Sequence, residues 1–163
     1  MLAWLGLGAN LQQPLAQLKE AIRRINQTAG IELLQTSSFY RTPPWGDEDQ
    51  PDFINAVVQV ETSLAPLELL RQMQSIENDM GRVRKDRHWG PRMIDIDVLM
   101  HGNQTMDSQA LMLPHPRMHE RAFVLLPLCE LDPAIEIPGR GRAVEFLDEL
   151  GHAGITLWPG DQG

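Results

Sequence analysis

Three observations predict an α/β (α+β) fold. Residues 15–25 and 67–80 repeat apolar side chains at three- and four-residue spacing, the mark of helices with one buried face. Residues 2–7, 31–40, 53–61 and 94–100 are short apolar or alternating runs, the mark of strands. Their order is strand, helix, strand, strand, helix, strand, which is that of a ferredoxin-like split βαβ core. Two helices then cover one face of a four-stranded antiparallel sheet. Loops, or the last third of the chain as a C-terminal extension, must cover the other.

Each element has a local reason. The first run ends in Gly8, with Asn10 just beyond. Pro14 suits the first turn of a helix in which Leu15, Leu18, Ile22 and Ile25 share a side, and Gly30 can stop it. Residues 31–40 read as one strand. Residues 41–52 hold three prolines and a glycine and form no regular element. In residues 53–61, Ile54, Ala56, Val58 and Val60 point one way, and Phe53, Asn55, Val57 and Gln59 the other. Pro66 opens a second helix with Leu67, Leu70, Met73 and Met80 on one side, and Gly81 closes it. Residues 94–100 alternate again. Residues 111–133 hold a proline–histidine turn and a long apolar run. Residues 143–150 read as a short helix, and the Gly-rich tail after Gly151 reads as peripheral despite Trp158.

The chain has 163 residues, of which 42% are hydrophobic and 22% charged, enough for one domain with a core of its own. No repeat or linker divides it, so residues 1–163 read as a single domain. Fourteen Lys and Arg against twenty-two Asp and Glu leave a formal charge of −8, which disfavours nucleic acid or an anionic membrane as a general partner. The lone Cys129 excludes an intrachain disulfide and reads as inert core. No apolar run approaches the ~20 residues of a membrane span. The default is a cytoplasmic protein.

Asp95-Ile96-Asp97 is the sharpest local feature. On a strand, residues two apart share a face, so both carboxylates project together. Ile94, Ile96, Val98 and Met100 fill the opposite face. Like charges this close repel unless a cation lies between them, and Mg²⁺ accepts one or two carboxylates while keeping water and phosphate oxygens. Taken alone, the pair is a weak signal and reads more readily as a solvated strand face.

The preceding segment, residues 82–92, carries five Lys or Arg and one acid, a local +4 in an acidic chain. Cations beside a carboxylate pair are what a metal-bound polyphosphate requires. Arg82 and Arg92 flank the loop, where neighbouring elements fix them; Arg84, Lys85 and Arg87 lie in the middle and could close over a nucleotide. A plain anion patch or a nucleic-acid contact would use the same residues. Neither a Walker A sequence nor a GxGxxG is present.

Thr42, Pro43, Pro44, Trp45, Phe53, Asn55, Trp89 and Phe123 are candidates for a slot that takes a flat heterocycle. Asn55 is the informative member. An amide within an apolar strand must find partners, and a ligand is one candidate. Ordinary packing of rings under a loop is the competing reading. His115 lies between two prolines that could present it and Arg121 to phosphates, and Glu77 near the end of the second helix could support a basic group.

With these motifs in hand, the chain resembles the 6-hydroxymethyl-7,8-dihydropterin pyrophosphokinase family of folate biosynthesis. The resemblance runs through Gly8-Ala9-Asn10-Leu11, Ser37 to Pro44, Asp52 to Ala56, Gly81 to Arg84, Arg87 to Asp97 and Leu113 to Met118. The segment Arg87-His88-Trp89-Gly90-Pro91-Arg92 followed by Asp95-Ile96-Asp97 is its most specific part. It implies a monomer that transfers the pyrophosphoryl group of ATP to the pterin's hydroxymethyl oxygen and releases AMP. It also implies two Mg²⁺ ions on Asp95 and Asp97, and the pterin between Trp89 and Phe123 with Asn55, Thr42 and the backbone near residues 43–45 at its edge. Arg82 and Arg92 would hold the phosphates and Arg84 would join them as the loop closes. Glu77, His115 and Arg121 would stand on the nucleotide side.

Three positions depart from the family pattern. Phe53 replaces a frequent Tyr, Pro116 follows His115 where some members have an aromatic, and Ala110 stands where some have Arg. None touches the acidic pair. Two other functions compete: a different Mg²⁺-dependent nucleotidyl- or phosphotransferase built on Asp95 and Asp97, and an RNA-binding module of ferredoxin-like topology using the basic loop.

Overall fold

The computed structural model describes residues 1–10, 13–43, 52–81 and 94–158. Strand β1 is Leu2–Ala9, helix α1 Pro14–Asn26, β2 Ile31–Thr36, β3 Tyr40–Thr42, β4 Phe53–Thr62, α2 Pro66–Gly81 and β5 Asp95–His101. After these come β6 Met106–Asp107, β7 Met112–Leu113, α3 Ala122–Leu131, β8 Glu136–Ile137, β9 Gly141–Arg142, α4 Ala143–Leu150 and β10 Thr156–Leu157.

The main sheet is ordered β10-β3-β4-β1-β5, with β2 also paired to β4. Every pairing is antiparallel. The four strands predicted for the split βαβ core are β1, β2, β4 and β5, and they lie in the order that core requires, β5-β1-β4-β2. One face buries Leu5, Leu7, Ile54, Val58 and Ile96 under α1 and α2. The other buries Trp4, Val57 and Leu99 under Val124, Leu125 and Leu128 of α3 and Leu147 of α4. The last third of the chain is therefore the second layer.

Helix α1 buries Leu18, Ala21 and Ile25, with Leu15 and Ile22 at the margin. Arg23 and Arg24 in its last turn suit the negative helix end. The turn behind it needs Gly30, whose φ of +86° is costly for other residues and whose carbonyl accepts from Thr62 Oγ1 at 2.7 Å. The buried stripe of α2 is Leu69, Met73, Ile76 and Met80; Leu67 and Leu70, expected on the same side, are only partly buried. Cys129 is buried on α3, and that burial raises its thiol pKa. Among the described residues no helix is long and apolar enough to cross a membrane.

Three expectations are corrected. Residues 31–40 are two strands, because at Ser37 the side chain takes over the ladder: the Val57 N–H donates to Ser37 Oγ at 2.9 Å, while the Ser37 N–H donates to the Val57 carbonyl. Met100 leaves the face of Ile96 and Val98 and joins the α3 side. A bulge is the cause, since Leu5 pairs with Val98 but Trp4 with Met100, leaving Leu99 as the extra residue. The tail is not peripheral, because β10 pairs with β3 and Trp158 packs against the α1/α2 core.

Leu69 is fully buried between α2 and the sheet. Leu69→Ala should lower the unfolding free energy by about 2–5 kcal/mol in chemical denaturation, with near-native circular dichroism before the transition.

Candidate active site

The register of β1 between two partners builds the site. Gly8 pairs with Asn55 of β4 on one side and Asp95 of β5 on the other. Gly6 likewise stands between Val57 and Asp97. On the α3 face β1 thus carries hydrogen where its neighbours carry side chains, and a trough opens between the strands. The trough is the floor of a cavity of about 940 Å³, with Asp95 and Asp97 on one flank and Thr42, Pro43, Phe53 and Asn55 on the other. His115, Arg121 and Phe123 close it from the α3 side.

At the acidic end, Asp97 is about half exposed (46%), with Arg121 Nη1 3.9 Å from its Oδ2. The Arg121 guanidinium also lies over the Phe123 ring, 5.7 Å from its centroid. Asp95 and Asp97 project from β5, the last strand of the sheet, and some of its amides face away from β1. The Ile96 N–H, between the two acids, donates to Glu77 Oε2 at 2.7 Å. Glu77 therefore holds the backbone of the acidic pair from α2. Two carboxylates on one wetted strand face suit Mg²⁺, which takes few protein oxygens and completes its shell from water and phosphate. Among the described residues no cluster of three or more His, Cys, Asp or Glu forms a fuller metal cage.

His115 is fixed through its backbone and its ring. Its N–H donates to the carbonyl of the bulged Leu99 at 2.9 Å, and its Nδ1 accepts from the Arg117 N–H at 3.2 Å. With Nδ1 used as acceptor, the neutral ring carries its proton on Nε2. Burial, more than any charge, lowers its pKa below 6.5; Arg121 and Arg117 push the same way and Asp97 opposes them.

At the other end Asn55 and Thr42 are both buried, and Asn55 Nδ2 donates to Thr42 Oγ1 at 3.0 Å. A Cβ added at Gly8 would stand 2.7 Å from Asn55 Oδ1, so this glycine admits the amide. Strand β3 is tied to α3 through Glu130. The Glu130 carboxylate accepts from the Ser38 N–H at 3.0 Å, the Ser38 hydroxyl at 2.8 Å and the Tyr40 hydroxyl at 2.7 Å. Burial first, then Glu130, raises the Tyr40 phenol pKa well above its ordinary value.

Of the residues singled out in the sequence, Thr42, Pro43, Phe53, Asn55, Asp95, Asp97, His115, Arg121 and Phe123 share one cavity. Glu77 stands behind β5, on the backbone of the pair. Pro44, Trp45, Arg82, Arg84, Trp89 and Arg92 lie outside the described residues. Sequence reasoning missed Gly6, Arg117, Glu120 and Val124 as lining, and Gly8 as floor. The signal for the floor was available: two glycines two apart inside a strand mark a close approach on one face.

The fold around this cavity has known counterparts, and the sequence has a family. The model of the 7,8-dihydro-6-hydroxymethylpterin-pyrophosphokinase family, HPPK, fits residues 4–133. The chain belongs to this family. It is 42% identical over 158 residues to the 2-amino-4-hydroxy-6-hydroxymethyldihydropteridine pyrophosphokinase of Haemophilus influenzae, covering 96% of this chain and 98% of that one. The enzyme of the same name from Methylorubrum extorquens is 46% identical over 153 residues, 94% of this chain and 96% of its own. A crystal structure of Plasmodium falciparum HPPK-DHPS with pterin and p-hydroxybenzoate superposes with a TM-score of 0.72 at 15% identity. That match covers 96% of this chain but 46% of the longer protein, and it supports the fold alone.

Gly8→Ala should destabilise the chain by about 1–3 kcal/mol in urea denaturation, through the collision with Asn55. Gly6→Ala should cost less, because the nearest atoms to its Cβ would be those of the Leu99 side chain, at 3.4 Å.

His115 should titrate below 6.5 by NMR in metal-free buffer, and Asp97→Asn should lower its midpoint further by removing the charge that opposes the shift. Because the folded pKa is depressed, stability present above 6.5 should be lost as pH falls through that lower midpoint. A midpoint at or above 6.5 would contradict the buried setting.

Proposed function

We propose that this chain transfers the pyrophosphoryl group of ATP to the hydroxymethyl oxygen of 6-hydroxymethyl-7,8-dihydropterin, yielding AMP and the pterin diphosphate. Residues 1–163 would serve as one pyrophosphokinase unit and act as a monomer. The observation that carries the reading is the single cavity that joins Asp95 and Asp97 to the Asn55–Thr42 pair across the bare backbone of Gly6 and Gly8. A polar heterocycle and a polyphosphate need those two ends within reach of each other.

The pterin edge would be read by Asn55, Thr42 and the backbone beside Pro43. Asn55 still has an oxygen and a second N–H proton to offer after its bond to Thr42. Phe123 and Phe53 would supply apolar walls, with Trp89 as the second stacking ring. Phe53 offers no hydroxyl, so recognition at that wall rests on shape alone.

Asp95 and Asp97 would hold two Mg²⁺ ions. Bound there, Mg²⁺ neutralises the triphosphate and makes a neighbouring hydroxyl easier to deprotonate. The hydroxymethyl oxygen attacks the β-phosphorus in line, forming one O–P bond. The bond from that phosphorus to the α,β-bridging oxygen breaks, AMP leaves with the electron pair, and the hydroxyl proton passes to solvent. No side chain becomes phosphorylated in this scheme. Arg121 and the neutral Nε2–H of His115 would orient phosphate oxygens, and Arg82, Arg84 and Arg92 would complete the cationic side. Glu77 acts by keeping the backbone between the two acids in place.

Incubation with ATP, Mg²⁺ and the reduced hydroxymethylpterin should give AMP and pterin diphosphate in equal amounts by mass spectrometry. ADP, or free pyrophosphate, would instead indicate another phospho- or nucleotidyltransferase. Asp97→Asn should slow single-turnover transfer by at least about 100-fold while circular dichroism stays native. An unchanged rate would remove Asp97 from its assigned role.

A further inference from the structure

The chain beyond Gly151 has no part in the reading above, and the family model ends at residue 133. Yet this segment is bound to the strand that leads into the cavity wall. Thr156 pairs with Arg41 and Leu157 with Tyr40. The Trp158 N–H donates to the Phe39 carbonyl at 2.9 Å. The Arg41 guanidinium lies over the Trp158 ring, 4.8 Å from its centroid, and Arg41 Nε is 3.7 Å from Asp52 Oδ2. Gly154, at a φ of +87°, lies beside Pro43, so that an added Cβ would be in van der Waals contact with Pro43 Cγ at 3.5 Å.

Strand β3 has only three residues, and on its inner side it meets β4, Thr42 opposite Phe53. Without β10 its outer amides and carbonyls would form an open edge. A three-residue strand held on one side frays readily. The residues that would fray, Thr42 and Pro43, line the cavity. Arg41 has a further effect: it links the residue before Thr42 both to Asp52, at the start of β4, and to Trp158, which is seated on the α1/α2 core.

We infer that residues 154–158 form a strap that fixes the Thr42–Pro43 wall for the pterin, with Arg41 and Trp158 as positioning residues. The inference rests on the pyrophosphokinase reading for its substrate, but not for its structural half. A wall already ordered binds without first being ordered, so its loss weakens the ligand it touches and spares the rest.

The test compares Trp158→Ala, Trp158→Phe and Arg41→Gln in the full chain. Trp158→Ala should speed hydrogen exchange at Tyr40–Thr42 and raise the pterin KM about threefold to fivefold, the worth of one lost cation–π contact. The ATP KM and kcat should stay within about twofold. Trp158→Phe, which keeps a ring under Arg41, should restore both readouts. Arg41→Gln leaves Trp158 in the core and should reproduce the selective loss even where Trp158→Ala unfolds the chain. Parental exchange and pterin KM in folded Trp158→Ala and Arg41→Gln would overturn the strap. So would a parallel rise in both KM values, which marks diffuse loss of fold. A parent chain that makes no pterin diphosphate would sink the pyrophosphokinase reading instead, and exchange at Tyr40–Thr42 would still decide whether the strap holds the wall.

Discussion

Between Asn55 and Asp95 lies only the backbone of Gly8. The central strand of a sheet packed on both faces would normally fill that position with a side chain. Here β1 fills one face fully, with Leu5 and Leu7 against α1 and α2, and leaves the other bare at Gly6 and Gly8. The bare face gives reach. Groups on β4 and β5, two strands apart, look into the same space without a side chain between them. Both ends of the cavity depend on this one-sided strand.

The second layer turns the trough into a pocket. Helix α3 buries Leu125 and Leu128 against the sheet, and its first turn brings Phe123 and the preceding Arg121 over the floor. Near its other end, Glu130 gathers Ser38 and Tyr40. The same helix thus fixes the α3-side wall and anchors the strand that carries Thr42. Opposite it, Glu77 reaches from α2 to the Ile96 amide on the far edge of the sheet. Both flanks of the cavity are thus held by a carboxylate from another element, Glu77 behind the acidic pair and Glu130 behind Tyr40.

Much of this could be read in the chain. Periodicity identified α1 and α2 and the four core strands, because one-sided burial leaves a strong pattern at 3.6 or 2 residues. The alternation of Asp95 and Asp97 against Ile96 and Val98 gave their common face. The bulge at Leu99 was illegible, because a single extra residue looks like one more step of alternation until the partner strand is known. The break at Ser37 was hidden for a similar reason: the residue that ends the ladder does so with its own hydroxyl. The tail misled because its Gly-rich composition describes the turn at 151–154, while its pairing depends on an edge offered by β3. His115 could be suspected from its prolines, but its tautomer depends on the Arg117 amide, a contact no spacing reveals.

The bulge at Leu99 also makes β5 a strand of two reading frames. Up to Val98, one parity faces the cavity and the other the α1/α2 core. Past Leu99 the parity is reversed, so Met100 and Trp4 meet on the α3 side. The extra residue is also the one whose carbonyl receives His115. Removing it would restore regular alternation and leave Met100 opposite Trp4, but it would take away the carbonyl that receives His115. The acidic pair and the histidine, eighteen to twenty residues apart in sequence, are therefore geared together through β5.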